Sequence, residues 1–510
     1  YEVTNNSSQY DAEVNVTCVP KEGTTAKYTS IKNKLDNDAT VVKAKTSVNG
    51  TLTITLNKTS TERVTEEYTC KLEFNAVERT KIAVSGTNLY NLIKNKKENK
   101  MNKKNELLED DLKYIWHPFT QMKHLENENN KPIIIKKGTG IYLEDIDGNK
   151  YIDAISSWWV NTLGHSNRRL NKALYEQSKE IEHVLFAGFT HIGAIKLAKK
   201  LVKMINNDLK HVFYSDNGST AVEVALKMAY QYWVLKRKPQ KSKFVALKNS
   251  YHGDTIGAVS VGGVDLYHKI YKPLLFDMIQ IMSPNCYRCP MRCQKETCNL
   301  KCLNQVENIF KEKSGEIAGI IVEPLVQAAG GMVMYKPEYL TKLRKLCSDY
   351  NILLIDDEVA MGFYRTGKLF AYEHANIVPD IICAAKGITA GYLPLSVTIT
   401  TDEIYNTFYD DDIDGFKTFY HGHSYTANPL AISVALENLK ILKEMDIENY
   451  LKPKIKCFEK ELQKFKTHKN VGDVRQIGMI CAIEIVKNKE TKEPFKYEER
   501  IQKQIYNQAL

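Results

Sequence analysis

A lysine and a cluster of acids carry the clearest chemical signal in this chain. Lys386 follows the apolar run Ile381-Ile382-Cys383-Ala384-Ala385 and precedes Gly387. An amine held in so dry a site can stay neutral and attack a carbonyl. Upstream, Asn351-Ile352-Leu353-Leu354-Ile355 is a second run of buried-strand character, and it ends in Asp356-Asp357-Glu358. A carboxylate and a lysine at neighbouring strand ends suit pyridoxal phosphate, with the acid on the ring nitrogen and the lysine on the aldehyde.

Two further stretches fit the same chemistry. Tyr214-Ser215-Asp216-Asn217-Gly218-Ser219-Thr220 couples a strand end to a helix through Gly218. A helix N-terminus with free N–H groups and a hydroxyl cradles phosphate, although the same residues also cap helices that hold no ligand. Tyr251-His252-Gly253-Asp254-Thr255 lies beyond the next strand, where an aromatic side chain can cover a flat ring. Taken alone, a Tyr-His pair is as well explained by core or surface packing.

These residues need strands and helices to position them. Glu316–Glu323 reads as a buried strand, Tyr339–Cys347 has helical spacing, and the Asp357 strand follows. The alternation predicts a mostly parallel α/β sheet. With 510 residues and 43% hydrophobic content, two or three domains are expected. The net charge of +10 is modest, and the basic run Lys94–Lys104 has no interleaved aromatics, so it reads as a solvated linker rather than a nucleic-acid site. No apolar run reaches the length of a membrane helix, and the start at Tyr1, with neither Met nor a signal-type segment, reads as a processed, engineered or trimmed end.

The first ~90 residues differ in kind, being rich in Thr, Asn and Val with short alternating runs such as Ala12–Cys18 and Gly50–Leu56. Cys18 and Cys70 sit in such strands, and Tyr68 stands two residues before Cys70, the tyrosine-corner spacing of immunoglobulin-like sandwiches. A disulfide between them is expected to bridge two sheets, although no Trp lies between them to pack on it. Sequons at Asn5, Asn6, Asn15, Asn49 and Asn57 point to a secreted or extracellular origin for this segment, with a partner of unknown kind, while an Asn- and Thr-rich sequence also generates sequons by chance.

The run Asp357-Glu358-Val359-Ala360-Met361-Gly362-Phe363-Tyr364-Arg365-Thr366-Gly367, followed by Lys386-Gly387-Ile388-Thr389-Ala390-Gly391-Tyr392-Leu393-Pro394, resembles the class III, fold-type-I pyridoxal-phosphate aminotransferases. The resemblance covers about residues 105–510 and extends to Trp116–Met122, Ser156-Ser157-Trp158-Trp159 and His421–Pro429. It implies a large, mixed, mostly parallel sheet domain with a small α+β domain, following the small all-β module. The domains would be a β-rich module at 1–90, a linker at 91–104, an N-terminal segment at 105–160, a cofactor domain at 161–430 with an insertion at 284–303, and an incomplete small domain at 431–510.

The same resemblance implies a cytoplasmic ping-pong aminotransferase of biotin synthesis, converting 8-amino-7-oxononanoate to 7,8-diaminononanoate. Adenosylmethionine is the expected amino donor and lysine the alternative. Lys386 would be the Schiff-base lysine, Asp357 the partner of the pyridine nitrogen, and Tyr251 a catalytic and ring-packing residue. Gly218 and Ser219 would hold the phosphate, with His423 and Ser424 reaching the partner subunit's cofactor across a homodimer. Trp158, Tyr251 and Gly422 would line the substrate pocket. Phe119 stands where many relatives carry a substrate-contacting Tyr, and Arg365 reads as an ion-pair anchor. The chain stops within a helix-like run at Gln508-Ala509-Leu510, whereas the resemblance implies a few dozen further residues and an arginine for the substrate carboxylate. Two other readings stay open: a different class III ω-aminotransferase, and a chimeric chain whose β-rich module binds a partner while the truncated enzyme is inactive.

Cys286, Cys289, Cys293, Cys298 and Cys302 form one local cluster. Zinc needs four soft ligands on short loops, but this spacing matches no zinc motif, so free thiols or incidental disulfides are expected, with a metal as the alternative.

Overall fold

The two apolar runs become the strands Leu353–Asp357 and Ile381–Ala384, paired in parallel at the centre of one sheet in the computed structural model. The structure describes residues 101–510 apart from 128–129, 206–207, 295–296, 412–414 and 510, together with the backbone of six strands within residues 1–100. It divides into one unit from Tyr1 to Pro132 and a second from Ile133 to Leu510.

In the first unit the strands are β1 (Glu2–Thr4), β2 (Asp11–Pro20), β3 (Thr29–Leu35), β4 (Val41–Val42), β5 (Ser47–Leu56) and β6 (Tyr68–Val77). They form two antiparallel three-stranded sheets, ordered β1-β5-β3 and β4-β2-β6. The expected bridge between two sheets is corrected by the register, since Cys18 faces Cys70 directly across neighbouring strands of a single sheet. The side chains of both, like those of the sequon asparagines, lie outside the described residues. Residues 101–104, expected to be linker, belong to a helix that continues through residue 114.

The second unit opens with an antiparallel meander of β7 (Ile135–Thr139), β8 (Tyr142–Asp145) and β9 (Lys150–Ile152). Its main sheet uses β10 (Leu209–Ser215), β11 (Lys243–Leu247), β12 (Met278–Ile281), β13 (Ile317–Val322), β16 (Leu353–Asp357), β17 (Ile381–Ala384) and β18 (Ser396–Thr401), while β14 (Val326–Gln327) and β15 (Val333–Met334) pair separately. The order is β10-β18-β17-β16-β13-β11-β12, and β18 alone runs against its neighbours. The large, mostly parallel sheet expected for fold type I is therefore present.

Side-chain alternation explains why both faces of this sheet are covered. Val245, Leu247, Ile320, Leu354 and Ile382 enter one core, which also takes residues of the helices Ile192–Ile205, Leu303–Lys313, Pro337–Asp349 and Pro429–Glu444. Phe244, Ala246, Ile321, Ile355 and Ile381 face the other core, closed by Ala221, Val222, Ala225, Leu226 and Trp233 of the helix Gly218–Leu235. Strands buried on both sides read as unbroken apolar runs, and each fully buried Ile, Leu or Phe contributes about 1.5–3 kcal/mol. Towards the C-terminus, the helix Ile447–Gln463 precedes the antiparallel hairpin of β19 (Val471–Ile477) and β20 (Ile480–Ile485). Among the described residues no helix is long and apolar enough to cross a membrane.

Candidate active site

Parallel strands gather the residues that follow them along one edge, and such edges hold ligands in open α/β sheets. Ser215 ends β10 and the helix from Gly218 follows it, and Tyr251-His252-Gly253 follows β11. Glu323 follows β13, Asp357 ends β16, and Lys386 follows β17.

Lys386 keeps some surface as a residue, but its amino end is enclosed. Burial lowers its pKa against the opposing pull of Asp357 and Glu323. Its Nζ lies 5.0 Å from the ring centroid of Trp159. Asp357 is buried, and its Oδ2 accepts a 2.7 Å hydrogen bond from Nδ1 of His252. Its Oδ1 accepts from the backbone N–H of Val359 at 3.1 Å. With Nδ1–H committed to a carboxylate, Nε2 of His252 is the free ring nitrogen, and it is buried with no hydrogen-bond partner in the chain.

Beside them, Glu323 accepts from the N–H groups of Tyr251 at 3.0 Å and Ala328 at 2.9 Å. Burial pushes its carboxyl up to about 7. The Tyr251 hydroxyl donates to Asp254 at 2.6 Å, and burial raises its pKa. The helix from Gly218 is capped by Asn217, whose side chain accepts from the N–H of Thr220 at 3.0 Å. Ser219 Oγ lies 2.8 Å from Thr255 Oγ1 and accepts from the Thr255 N–H at 3.1 Å. Glycine is required at two points here. A Cβ on Gly218 would stand 2.5 Å from Val359, and one on Gly253, whose φ is +122°, would stand 2.3 Å from Ser219 Oγ.

One wall is built from strained backbone. Ser156, Ser157, Trp158 and Trp159 all have positive φ, between 48° and 70°. Asp153 holds this turn by accepting from the N–H of Ser157 at 2.8 Å and its hydroxyl at 2.7 Å, while His165 Nε2 bonds the same carboxylate at 2.9 Å. Arg365 braces it from the other side by donating to the Trp159 carbonyl at 3.1 Å. The ion-pair role expected of Arg365 is corrected, since it forms no ion pair among the described residues and its burial lowers its pKa.

Lys386, Asp357, Tyr251, Gly218 and Ser219 thus occupy the same sheet edge. Of the remaining candidates, Gly422 and Ser424 are exposed, and His423 has a buried Nε2 without a partner. Trp158 is 55% exposed, whereas its neighbour Trp159 is the one at Lys386. Phe119 falls in the first unit, where it is exposed. The sequence assigns no role to His252, Thr255 and Trp159, although His252 and Thr255 lie within the Tyr251 stretch and Trp159 beside Trp158, and it places Glu323 at a strand end near the same face without a chemistry of its own. Cys286, Cys289, Cys293, Cys298 and Cys302 form no disulfide among the described residues, and no group of three His, Cys, Asp or Glu among those residues is placed to hold a metal ion.

Residues 124–508 match the family model described as aminotransferase class III. The chain belongs to the class III aminotransferases. It is 47% identical over 392 residues to the adenosylmethionine-8-amino-7-oxononanoate aminotransferase of Geobacter sulfurreducens, covering 77% of this chain and 86% of that protein. The protein of the same name from Methanocaldococcus jannaschii is 45% identical over 405 residues, covering 77% and 87%. A crystal structure of the M. jannaschii protein superposes with a TM-score of 0.73 at 43% identity, covering 78% of this chain and 88% of that one. An (S)-enantioselective ω-transaminase from Thermomicrobium roseum gives a TM-score of 0.73 at 34% identity, over 78% and 87%.

The cofactor of this class, pyridoxal phosphate, fits the residues present. The buried amine, the buried carboxylate held by His252 and the open helix end with its hydroxyls supply one partner each for aldehyde, ring nitrogen and phosphate.

Proposed function

We propose that this chain transfers an amino group from adenosylmethionine to 8-amino-7-oxononanoate, yielding the 7,8-diamine of biotin synthesis. The observation that carries the reading is the alignment of Lys386, Asp357 and the Gly218 helix end on one sheet edge, in a chain 42–47% identical to several aminotransferases named for these two substrates. The other ω-transaminases compared stand at 34% identity or less, so they support the fold more than the substrate.

Lys386 would carry the cofactor covalently, Asp357 would face its ring nitrogen, and Gly218 with Ser219 would bind its phosphate. When bound, the cofactor supplies an electron sink for the carbon that loses or gains a proton. The chain's own part is to move that proton and to fix the geometry. Desolvation favours the neutral amine at Lys386, which suits it to take a proton at Nζ and return it. Asp357 is oriented by His252 and by the Val359 N–H. Trp159 helps exclude water around Nζ, and with the half-buried ring of Tyr251 it would offer an apolar surface to a long aliphatic keto-amine.

We further read the enzyme as a cytoplasmic homodimer with a shared site. Ile155, Trp158, Phe416, Tyr420 and Tyr425 are exposed apolar or aromatic side chains available to a second copy. In this arrangement His423 and Ser424 would serve the partner's phosphate and Gly422 and Trp158 the substrate. Phe119 would contact substrate without the hydroxyl of a tyrosine.

The test is to add pyridoxal phosphate, reduce with borohydride and map the adduct, then supply adenosylmethionine and 8-amino-7-oxononanoate and assay the diamine by mass spectrometry. An adduct on Lys386 and diamine formation are expected. Binding without diamine, but with turnover of another ω-amine, would replace the substrate assignment. No adduct at Lys386 would remove the cofactor assignment as well.

A further inference from the structure

Five of the chain's eleven cysteines fall between Cys286 and Cys302, and the reaction uses none of them. All five thiols line one small cavity, which also takes Tyr335 and Tyr339. A soft metal ion would need three or four of the sulfurs gathered about one point, and among the described residues no such group exists. What the loop does bring together is a pair. A turn closed by the Arg292 N–H on the Cys289 carbonyl at 3.0 Å carries Cys293 back to Cys289, and the two thiols are within hydrogen-bonding reach of each other.

Cys293 also points its thiol at the Met291 carbonyl, 3.6 Å away, and the other three are engaged or covered. Cys302 is buried where the helix Leu303–Lys313 begins, and Cys298 Sγ accepts the Leu300 N–H at 3.3 Å. Cys286 points its thiol at the Pro284 carbonyl, 3.8 Å away. Cys289 and Cys293 are only half-buried, between the exposed residues Arg288, Pro290, Met291 and Arg292. The start of the loop is pinned to the C-terminal hairpin, since Arg288 donates to Glu484 at 3.0 Å and to the Lys492 carbonyl at 2.8 Å. Lys492 returns a bond to the Tyr287 carbonyl at 2.7 Å.

We propose that Cys289 and Cys293 form a reversible thiol–disulfide pair, oxidised by peroxide, that locks the loop seated on the C-terminal hairpin. One thiol, as its thiolate, attacks hydrogen peroxide, becomes a sulfenic acid and releases hydroxide, which leaves as water with the lost proton. The sulfur of the second thiol then attacks the sulfenic sulfur, closing the S–S bond and expelling a second water. Two thiols are oxidised by two electrons and one peroxide is reduced to two waters. The four-residue spacing and the turn permit the short Cα separation that a disulfide needs.

The test uses the full chain with cofactor, freed of reductant and treated with one to ten equivalents of hydrogen peroxide. Free thiols are then capped with iodoacetamide and the protein is digested with trypsin without reduction. Cleavage after Arg288 and Arg292 places Cys289 and Cys293 in different peptides, so their bond appears as one linked mass. That mass is expected to dominate, to vanish with dithiothreitol, and to persist in Cys457→Ser, which removes a distant exposed thiol. In Cys293→Ser, dimedone should trap a sulfenic acid on Cys289. Three results would overturn the proposal: both thiols still alkylated when Met291 is already oxidised, equal linkage among all five cysteines, or one tightly held zinc per chain that protects the cluster.

Discussion

His252 holds Asp357, and removing that bond should loosen the cofactor without unfolding the protein. The bond is 2.7 Å long and both groups are buried, so no water takes the donor's place when it is lost. A hydrogen bond to a charged partner contributes about 1.5–3 kcal/mol, which corresponds to about tenfold to a hundredfold in cofactor affinity if Asp357 must be ionised and oriented to bind. His252→Leu deletes the donor, but it also deletes the unpartnered Nε2, so the cost to folding is offset and should stay near 1 kcal/mol. His252→Asn keeps a donor close to the position of Nδ1 and should restore affinity to within about fivefold. The assay is equilibrium binding of pyridoxal phosphate, followed by the absorbance it gains at the site, beside urea denaturation of the cofactor-free protein. If the Leu and Asn variants bind equally well, or if Leu lowers stability as much as affinity, His252 is a packing residue and the reasoning fails.

Three other substitutions probe the same edge. Gly253→Ala adds a Cβ 2.3 Å from Ser219 Oγ at a φ of +122°, so it should cost at least about 2 kcal/mol and weaken phosphate binding, read as a lower melting temperature that excess cofactor does not restore. Glu323, raised by burial to about 7 from 4.5, holds its proton in the folded state while the unfolded chain releases it. Stability of the cofactor-free protein should therefore fall as pH rises through that window, by at most about 3 kcal/mol, and Glu323→Gln should flatten this part of the profile in urea titrations. Asp153→Ala removes both anchors of the turn at Ser157 and should release residues 156–159 from left-handed backbone that costs about 1–2 kcal/mol per residue. Trp159 would then leave Lys386, seen as altered tryptophan fluorescence on cofactor addition and at least a tenfold drop in kcat/KM, while far-ultraviolet circular dichroism stays unchanged.

What could be read from sequence was what neighbouring residues determine together. Strands buried on both faces need continuous apolar side chains, so Leu353–Ile355 and Ile381–Ala384 announced themselves, and the polar residues ending each run had to lie at the sheet edge. Lys386, Asp357 and the Gly218 helix start were found in that way. His252 was not, because its partner lies 105 residues away and a histidine beside a tyrosine carries no mark of the carboxylate it will meet. The turn at Ser156–Trp159 was hidden for a different reason. Positive φ at four successive residues opposes the intrinsic preference of every one of them, so local propensity points away from the conformation that Asp153 and Arg365 impose. The Cys18–Cys70 geometry failed on register, since strand patterning fixes which residues share a face and not which strand lies next to which.

These failures have a common physical cause with functional consequences. Where local preference and tertiary contacts agree, as along β16 and β17, the residues serve the fold and their chemistry sits only at the strand end. Where they disagree, the conformation persists only because distant side chains over-determine it. At the Trp159 turn the opposing anchors are Asp153 and Arg365, and the ring they hold in place lies 5.0 Å from the amine. The strain therefore marks the part of the wall that can change with the least loss of fold. Substrate preference should accordingly be set by the turn at residues 156–159 and its two anchors, while Lys386, Asp357 and Gly218, carried by the buried sheet, would on the proposed reading keep the cofactor chemistry the same.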